Sequence, residues 1–294
     1  MSTGPVTTSP EPPGKGHASW NAVVIVVLVI VMALSVAVSV LFTLSFRHGS
    51  NPNTLVTTPS PQFEVGIRNA SEPSGFAPPP ATLNGYSLAY TSDFNGSALP
   101  TGWYAYSGHP GGDRGAQFGL RHVVVKDGLL ELNTWKDPQY QNKWVTGGLC
   151  QCGLAHTYGA YYVRSRITGP GPSEVQLLWP SDNSWPPEID FNETAGKVDS
   201  TFATIHWSPI NQIEQRHLAI NMLKWHTWGV IWTPSSVTYV VDGYVWGTIS
   251  NVEEVTHRAM TLDLQQVAMC NLGRECPSHP VSMLVDWVAE YQAT

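Results

Sequence analysis

From residue 86 onward, apolar and polar positions alternate in short runs broken by Gly, Pro, Asn and Asp, the two-residue period of half-buried strands. Val123-Val124-Val125 and Leu129-Leu130-Glu131-Leu132-Asn133 flank Asp127-Gly128. Tyr239-Val240-Val241 and Tyr244-Val245-Trp246 flank Asp242-Gly243 in the same way. An Asp-Gly pair between β-rich runs predicts a two-residue hairpin. Tyr161-Tyr162-Val163-Arg164-Ser165-Arg166 alternates and ends before Gly169-Pro170-Gly171-Pro172, while His226, Trp228, Val230 and Trp232 share one face of a further strand. No amphipathic helical period interrupts these runs. The pattern predicts an all-β sandwich over residues 86–294, with Trp228, Trp232 and Trp287 in its core.

The pattern upstream is different. Residues 22–46 carry no charged side chain and are dominated by Val, Ile, Leu, Ala and Met. A helix of that length at about 1.5 Å per residue crosses a hydrocarbon layer of about 30 Å. The expectation is a single N-terminal transmembrane signal-anchor helix at 22–46, a cytoplasmic disordered tail at 1–21, and a Pro/Ser/Thr-rich linker at 47–85. Lys15 and Arg47 balance the flanking charge, so the orientation is argued from topology, with the domain outside the cell. Cleavage near Ala37-Val38-Ser39, giving a secreted protein, is the competing reading. Asn69-Ala70-Ser71 and Asn95-Gly96-Ser97 are glycosylation sequons where the source cell glycosylates.

Composition narrows the functional classes. A net charge of −7 and the lack of a basic patch interleaved with aromatics argue against nucleic acid. Cys150, Cys152, Cys270 and Cys276 suit disulfides in an exported domain, with three connectivities open.

One run concentrates the acids. Glu188-Ile189-Asp190-Phe191-Asn192-Glu193 sets three carboxylates within six residues of a chain that is only 13% charged. On a strand, Glu188 and Asp190 share one face and Ile189 and Phe191 the other; Glu193 is one residue out of register. A β-bulge near Asn192 returns it to the face of the other two. Two carboxylates across one bond are the machinery of glycoside hydrolysis. The bland alternatives are a solvated acidic edge or a calcium ligand set. Trp179 and Trp185, just upstream, offer aromatic faces that match the apolar face of a sugar ring.

The ordered motifs resemble glycoside hydrolase family 16, the β-glucanase and laminarinase group, in the variant with a bulged catalytic strand. The resemblance runs from about Tyr90 to Tyr291 and rests on Asp93-Phe94-Asn95-Gly96, Tyr158-Gly159 with Val163-Arg164-Ser165-Arg166, and Leu177-Leu178-Trp179-Pro180 with Trp185-Pro186-Pro187. His206-Trp207, Trp232-Thr233-Pro234 with Val241-Asp242-Gly243, and Val285-Asp286-Trp287-Val288 complete it. Three positions depart: Pro187 stands where Gly usually precedes the first catalytic Glu, Ala289-Glu290 lacks an expected Arg, and Gln265-Gln266 replaces a commoner Asn.

The resemblance implies a concanavalin-like jelly-roll β-sandwich with an open cleft and a retaining endo-glycosidase acting on β-linked polysaccharide, β-1,3- or mixed-linkage glucan first. It assigns Glu188 as nucleophile, Glu193 as general acid/base and Asp190 as the assisting carboxylate. His206 is then placed to hydrogen-bond substrate or Glu193, and Trp179, Trp185 and Gln265 to contact sugar. A monomer is expected, with no cofactor and no catalytic metal, although the acidic strand leaves room for a structural calcium ion. Transglycosylation with the same residues and a non-catalytic, lectin-like carbohydrate-binding domain are the alternatives.

Overall fold

The computed structural model describes residues 60–83, 85–109, 116–268, 270 and 276–294. The expected tail at 1–21, the anchor at 22–46 and the linker up to residue 59 lie outside the described residues. Among the described residues, no helix is long and apolar enough to cross a membrane.

Two antiparallel sheets form a sandwich, as the alternation predicts. The first carries, in spatial order, β14 (Ile213–Ala219), β13 (Ser200–His206), β12 (Glu188–Glu193), β11 (Ser173–Pro180), β18 (Met260–Val267), β9 (Gly148–Cys150) and β5 (Tyr104–Ala105). The second runs β17 (Tyr244–Ile249), β16 (Ser236–Val241), β15 (His226–Thr233), β10 (Gly159–Ile167), β19 (Val281–Ala293), β4 (Tyr86–Ser92) and β3 (Thr82–Leu83). It is extended by β7 (Leu129–Asp137), which pairs with β19, β6 (Val123–Lys126) and β8 (Lys143–Val145). Both Asp-Gly hairpins form. Lys126 pairs with Leu129 and Val241 with Tyr244, and positive φ at Asp127, Gly128, Asp242 and Gly243 gives the turn whose twist matches the strands.

The core lies between the sheets. Ile189 and Phe191 of β12, Leu178 of β11 and Leu264 of β18 meet Val163 of β10 and Trp228 and Val230 of β15, all buried. Trp228 and Trp232 fill this core as expected. Trp287 is also fully buried, but on the opposite face of its sheet, with Tyr162, Val240 and Tyr291.

That outer face corrects the domain boundary. The stretch up to 85 was expected to be a spacer, yet the folded unit begins at Ser60. β1 (Ile67–Arg68) and β2 (Phe76–Ala77) pair with each other, and Phe63 and Leu83 pack on the outer cluster. Trp287 Nε1 donates to the Phe76 carbonyl at 2.8 Å, Tyr291 Oη donates to Pro80 O at 2.7 Å, and the Arg164 guanidinium sits 4.5 Å from the Phe76 ring centre. An apolar sheet face exposed to water is costly, and this segment covers it.

Candidate active site

Sheet register places the acids. Asp190 lies opposite Leu177 of β11 and Thr204 of β13, whereas Glu193 lies opposite Val175 and Phe202. Between these pairs β12 carries one residue more than either neighbour, so the expected bulge is present at Phe191–Asn192. Both side chains of the bulge are fully buried, and Glu193 returns to the face of Glu188 and Asp190.

Residues paired across antiparallel strands share a face. The row through Asp190 therefore reads Gln215, Thr204, Asp190, Leu177, Asp263 and Cys150. The row through Glu193 reads His217, Phe202, Glu193, Val175, Gln265 and Gly148. Glu188 pairs with His206. Glu188, Asp190, Glu193, His206 and Gln265 all project from one side of one sheet. A cleft of about 670 Å³ opens there, lined by Trp179, Trp185, Glu188, Asp263, Gln265 and Tyr106 among others.

The polar contacts set the electrostatics. Trp185 Nε1 donates to Glu188 Oε2 at 2.7 Å. Burial raises the Glu188 carboxyl above its ordinary pKa, against the opposing pull of that indole N–H and of His206. Asp190 is pushed well above the usual carboxylate range, first by burial and then by the charges of Glu188 and Glu193. His206 Nδ1 pairs with Asn211 Oδ1 at 2.6 Å, leaving Nε2 3.4 Å from Asp190 Oδ2. The expectation set His206 beside substrate or Glu193; in the structure its Nε2 lies by Asp190 and its ring lies 5.7 Å from the Trp185 ring centre. Trp179 Nε1 donates to Asn183 Oδ1 at 3.1 Å, which fixes its indole in the cleft wall. Glu188, Asp190 and His206 each offer a ligand atom within 4.8 Å of the others and could together hold a cation.

Sequence reasoning missed a fourth acid. Asp263 faces the cleft, accepts from Tyr106 Oη and, at 3.0 Å, from Thr261 Oγ1. Burial pushes its pKa up to about 7. The signal was the alternation Thr261-Leu262-Asp263-Leu264-Gln265, which puts Asp263 on the face of Gln265. Of the cysteine pairings left open by the sequence, one bond forms among the described residues: Cys150 bonds to Cys152, and both line the cleft.

Comparison with known proteins agrees with this geometry. The match to the family described as Glycosyl hydrolases family 16 spans residues 116–289. Among curated proteins, the chain is 33% identical over 97 residues to the endo-1,3-1,4-beta-glycanase ExsH of Rhizobium meliloti, covering 30% of this chain and 20% of that protein. It is 25% identical over 237 residues to the glucan endo-1,3-beta-glucosidase A1 of Niallia circulans, covering 68% of this chain and 34% of that protein. The chain thus spans between a fifth and about a third of the length of these relatives. The laminarinase of Rhodothermus marinus superimposes with a TM-score of 0.64 at 17% identity, over 71% of this chain and 98% of that one. SCLam, a non-specific endo-beta-1,3(4)-glucanase, does so with a TM-score of 0.65 at 21% identity, over 74% and 94%. These likenesses show a shared sandwich fold, and with a family match over more than half of its length, the chain belongs to Glycosyl hydrolases family 16.

Proposed function

We propose that the domain is a retaining endo-hydrolase of β-linked glucan, β-1,3- or mixed-linkage, working through a covalent glycosyl-enzyme intermediate. The observation that carries the reading is the bulge, which turns Glu188, Asp190 and Glu193 to one face beside an aromatic-lined cleft. Glu188, held by the Trp185 indole, attacks the anomeric carbon while Glu193 protonates the departing glycosidic oxygen. In the second step Glu193 takes a proton from water, the water oxygen attacks the same carbon, and Glu188 leaves with its bonding pair. Asp190, crowded between two like charges, holds a proton when Glu188 is ionised and so lowers the cost of three adjacent carboxyls. The names of the relatives support glucan as substrate.

The test is hydrolysis of a β-1,3-glucan and a mixed-linkage glucan by the intact chain. The expected products are oligosaccharides whose new reducing ends are first released as the β-anomer, seen by proton NMR, and Glu188→Gln abolishes their release. Full activity in Glu188→Gln, or first release of the α-anomer, sinks the mechanism. We extend the reading to the setting of the enzyme: a surface tether through residues 22–46, supported by the lack of any charge in that run. Recovery of the intact chain in the soluble fraction of cells would refute the tether.

A further inference from the structure

A bulge has a cost that a regular strand does not. Continued alternation would have put Asn192 in the cleft; the extra residue drives it into the sandwich, where it is fully buried. A buried amide without partners is expensive, so something must hold it there. Thr201 of β13 does. Its hydroxyl, itself nearly buried, lies 2.6 Å from Asn192 Oδ1 and 2.9 Å from the backbone carbonyl of Glu193. The hydroxyl bridges the bulge's buried side chain and the peptide of the proposed acid.

Behind it, the Asn192 amide nitrogen faces Glu174, a fully buried acid on β11, without hydrogen-bonding to it. Glu174 Oε1 accepts from Ser165 Oγ at 2.9 Å and from Gln176 Nε2 at 2.7 Å. The residue after Glu193 is anchored as well: Thr194 Oγ1 accepts from the Glu174 backbone N–H at 2.9 Å. Glu193 is thus flanked on both sides by buried polar residues fixed to neighbouring strands, while its own side chain faces the other way.

We propose that Thr201 and Asn192 are positioning residues for acid catalysis, a buried pair that keeps the bulge closed and so aims the Glu193 carboxyl at the glycosidic oxygen. This rests on the reading of Glu193 as general acid/base. Loss of aim should hurt only the steps that need proton transfer. A glucan has a poor leaving group that must be protonated as it departs; a dinitrophenyl glycoside leaves without that help.

The experiment compares wild type, Thr201→Val and Thr201→Ser in the intact chain, on a β-1,3-glucan and on a 2,4-dinitrophenyl β-oligoglucoside. Valine keeps the shape and removes the hydroxyl; serine keeps the hydroxyl. Thr201→Val is expected to lower kcat on the glucan about 10- to 100-fold, part of the full contribution of a general acid, with KM little changed. The pre-steady-state burst of dinitrophenolate, which reports glycosylation alone, should keep its rate within about 3-fold. Thr201→Ser recovers the glucan rate. Equal losses on the two substrates, failure of serine to recover the rate, or an unchanged glucan kcat in Thr201→Val would overturn the positioning role and leave the glycosidase reading intact. A wild-type chain that cleaves neither substrate overturns both.

Discussion

The indole N–H of Trp185 and the Glu188 carboxylate meet at 2.7 Å across the short turn that leads into β12. The contact opposes what burial does to Glu188, because a donor aimed at the ionised form favours that form. A nucleophile must be ionised to attack, so the indole keeps Glu188 usable at lower pH.

Trp185→Phe removes that donor and keeps an aromatic ring. The Glu188 carboxyl should move further upward, carrying the acidic limb of the kcat/KM profile to higher pH. A charge-assisted hydrogen bond contributes about 1.5 kcal/mol or more, so kcat/KM on the acidic limb should fall about 10-fold, with little loss at the optimum. An acidic limb that stays in place or moves down would rule the contact out as a tuning device.

Trp179 is fixed by Asn183 and lines the cleft away from the bulge. Its expected contribution is binding, with no part in bond breaking. Trp179→Ala should raise KM for glucan about 10-fold, equivalent to about 1.4 kcal/mol, with kcat within about 3-fold. A large loss of kcat at constant KM would place Trp179 in the chemistry instead.

Burial raises Glu174 and Asp263 to about 7 and Glu290 to about 8, from 4.5, 3.8 and 4.5. A carboxyl whose folded value lies above its unfolded one contributes stability that is complete below the unfolded value and is lost as pH rises through the folded value. Melting temperature should therefore decline between about pH 4 and pH 8. Glu290→Gln should flatten that decline, most visibly at its upper end. An equal slope in the variant would show that Glu290 ionises in the native protein as it does in the unfolded chain.

The folded unit begins at Ser60, so chains starting at Ser60 and at Tyr86 should differ. The shorter one uncovers Trp287 and Tyr291, loses the packing of Phe63 and Leu83, and loses the Phe76 ring from Arg164. Three such side chains contribute about 1.5 kcal/mol each, and each kcal/mol moves the midpoint of a domain this size by about 2–4 °C. A fall of about 10 °C by calorimetry is expected. Identical melting curves would return residues 60–85 to the role of spacer.

The parts of this fold that were legible in the sequence are those set by local rules. Asp127-Gly128 and Asp242-Gly243 announce their turns because few other residues accept positive φ at both positions. The bulge was legible because Ile189 and Phe191 demand one side and the carboxylates the other, leaving a single surplus residue. The cover over Trp287 was not. Its apolar residues are scattered through a Pro- and Ser-rich stretch, and much of its hold on the sheet is through backbone carbonyls such as those of Phe76 and Pro80. Asp263 was hidden between two leucines in a run that reads as an ordinary core strand. The approach of the His206 ring to Asp190 was not legible, because the strand pattern puts His206 opposite Glu188 and only the side-chain geometry, with Asn211 holding Nδ1, turns Nε2 toward Asp190.

The bulge also makes the acid string a matter of parity. Glu188 and Asp190 are an even step apart, Asp190 and Glu193 an odd one, and the surplus residue cancels the oddness. Deleting Asn192 would set the last glutamate an even step from Asp190, the count of an unbroken ladder, with no amide left to bury. Inserting a residue there would instead ask the strand to absorb two extra positions. Length variation at this point should therefore be lopsided, with a shortened strand recovering function more readily than a lengthened one.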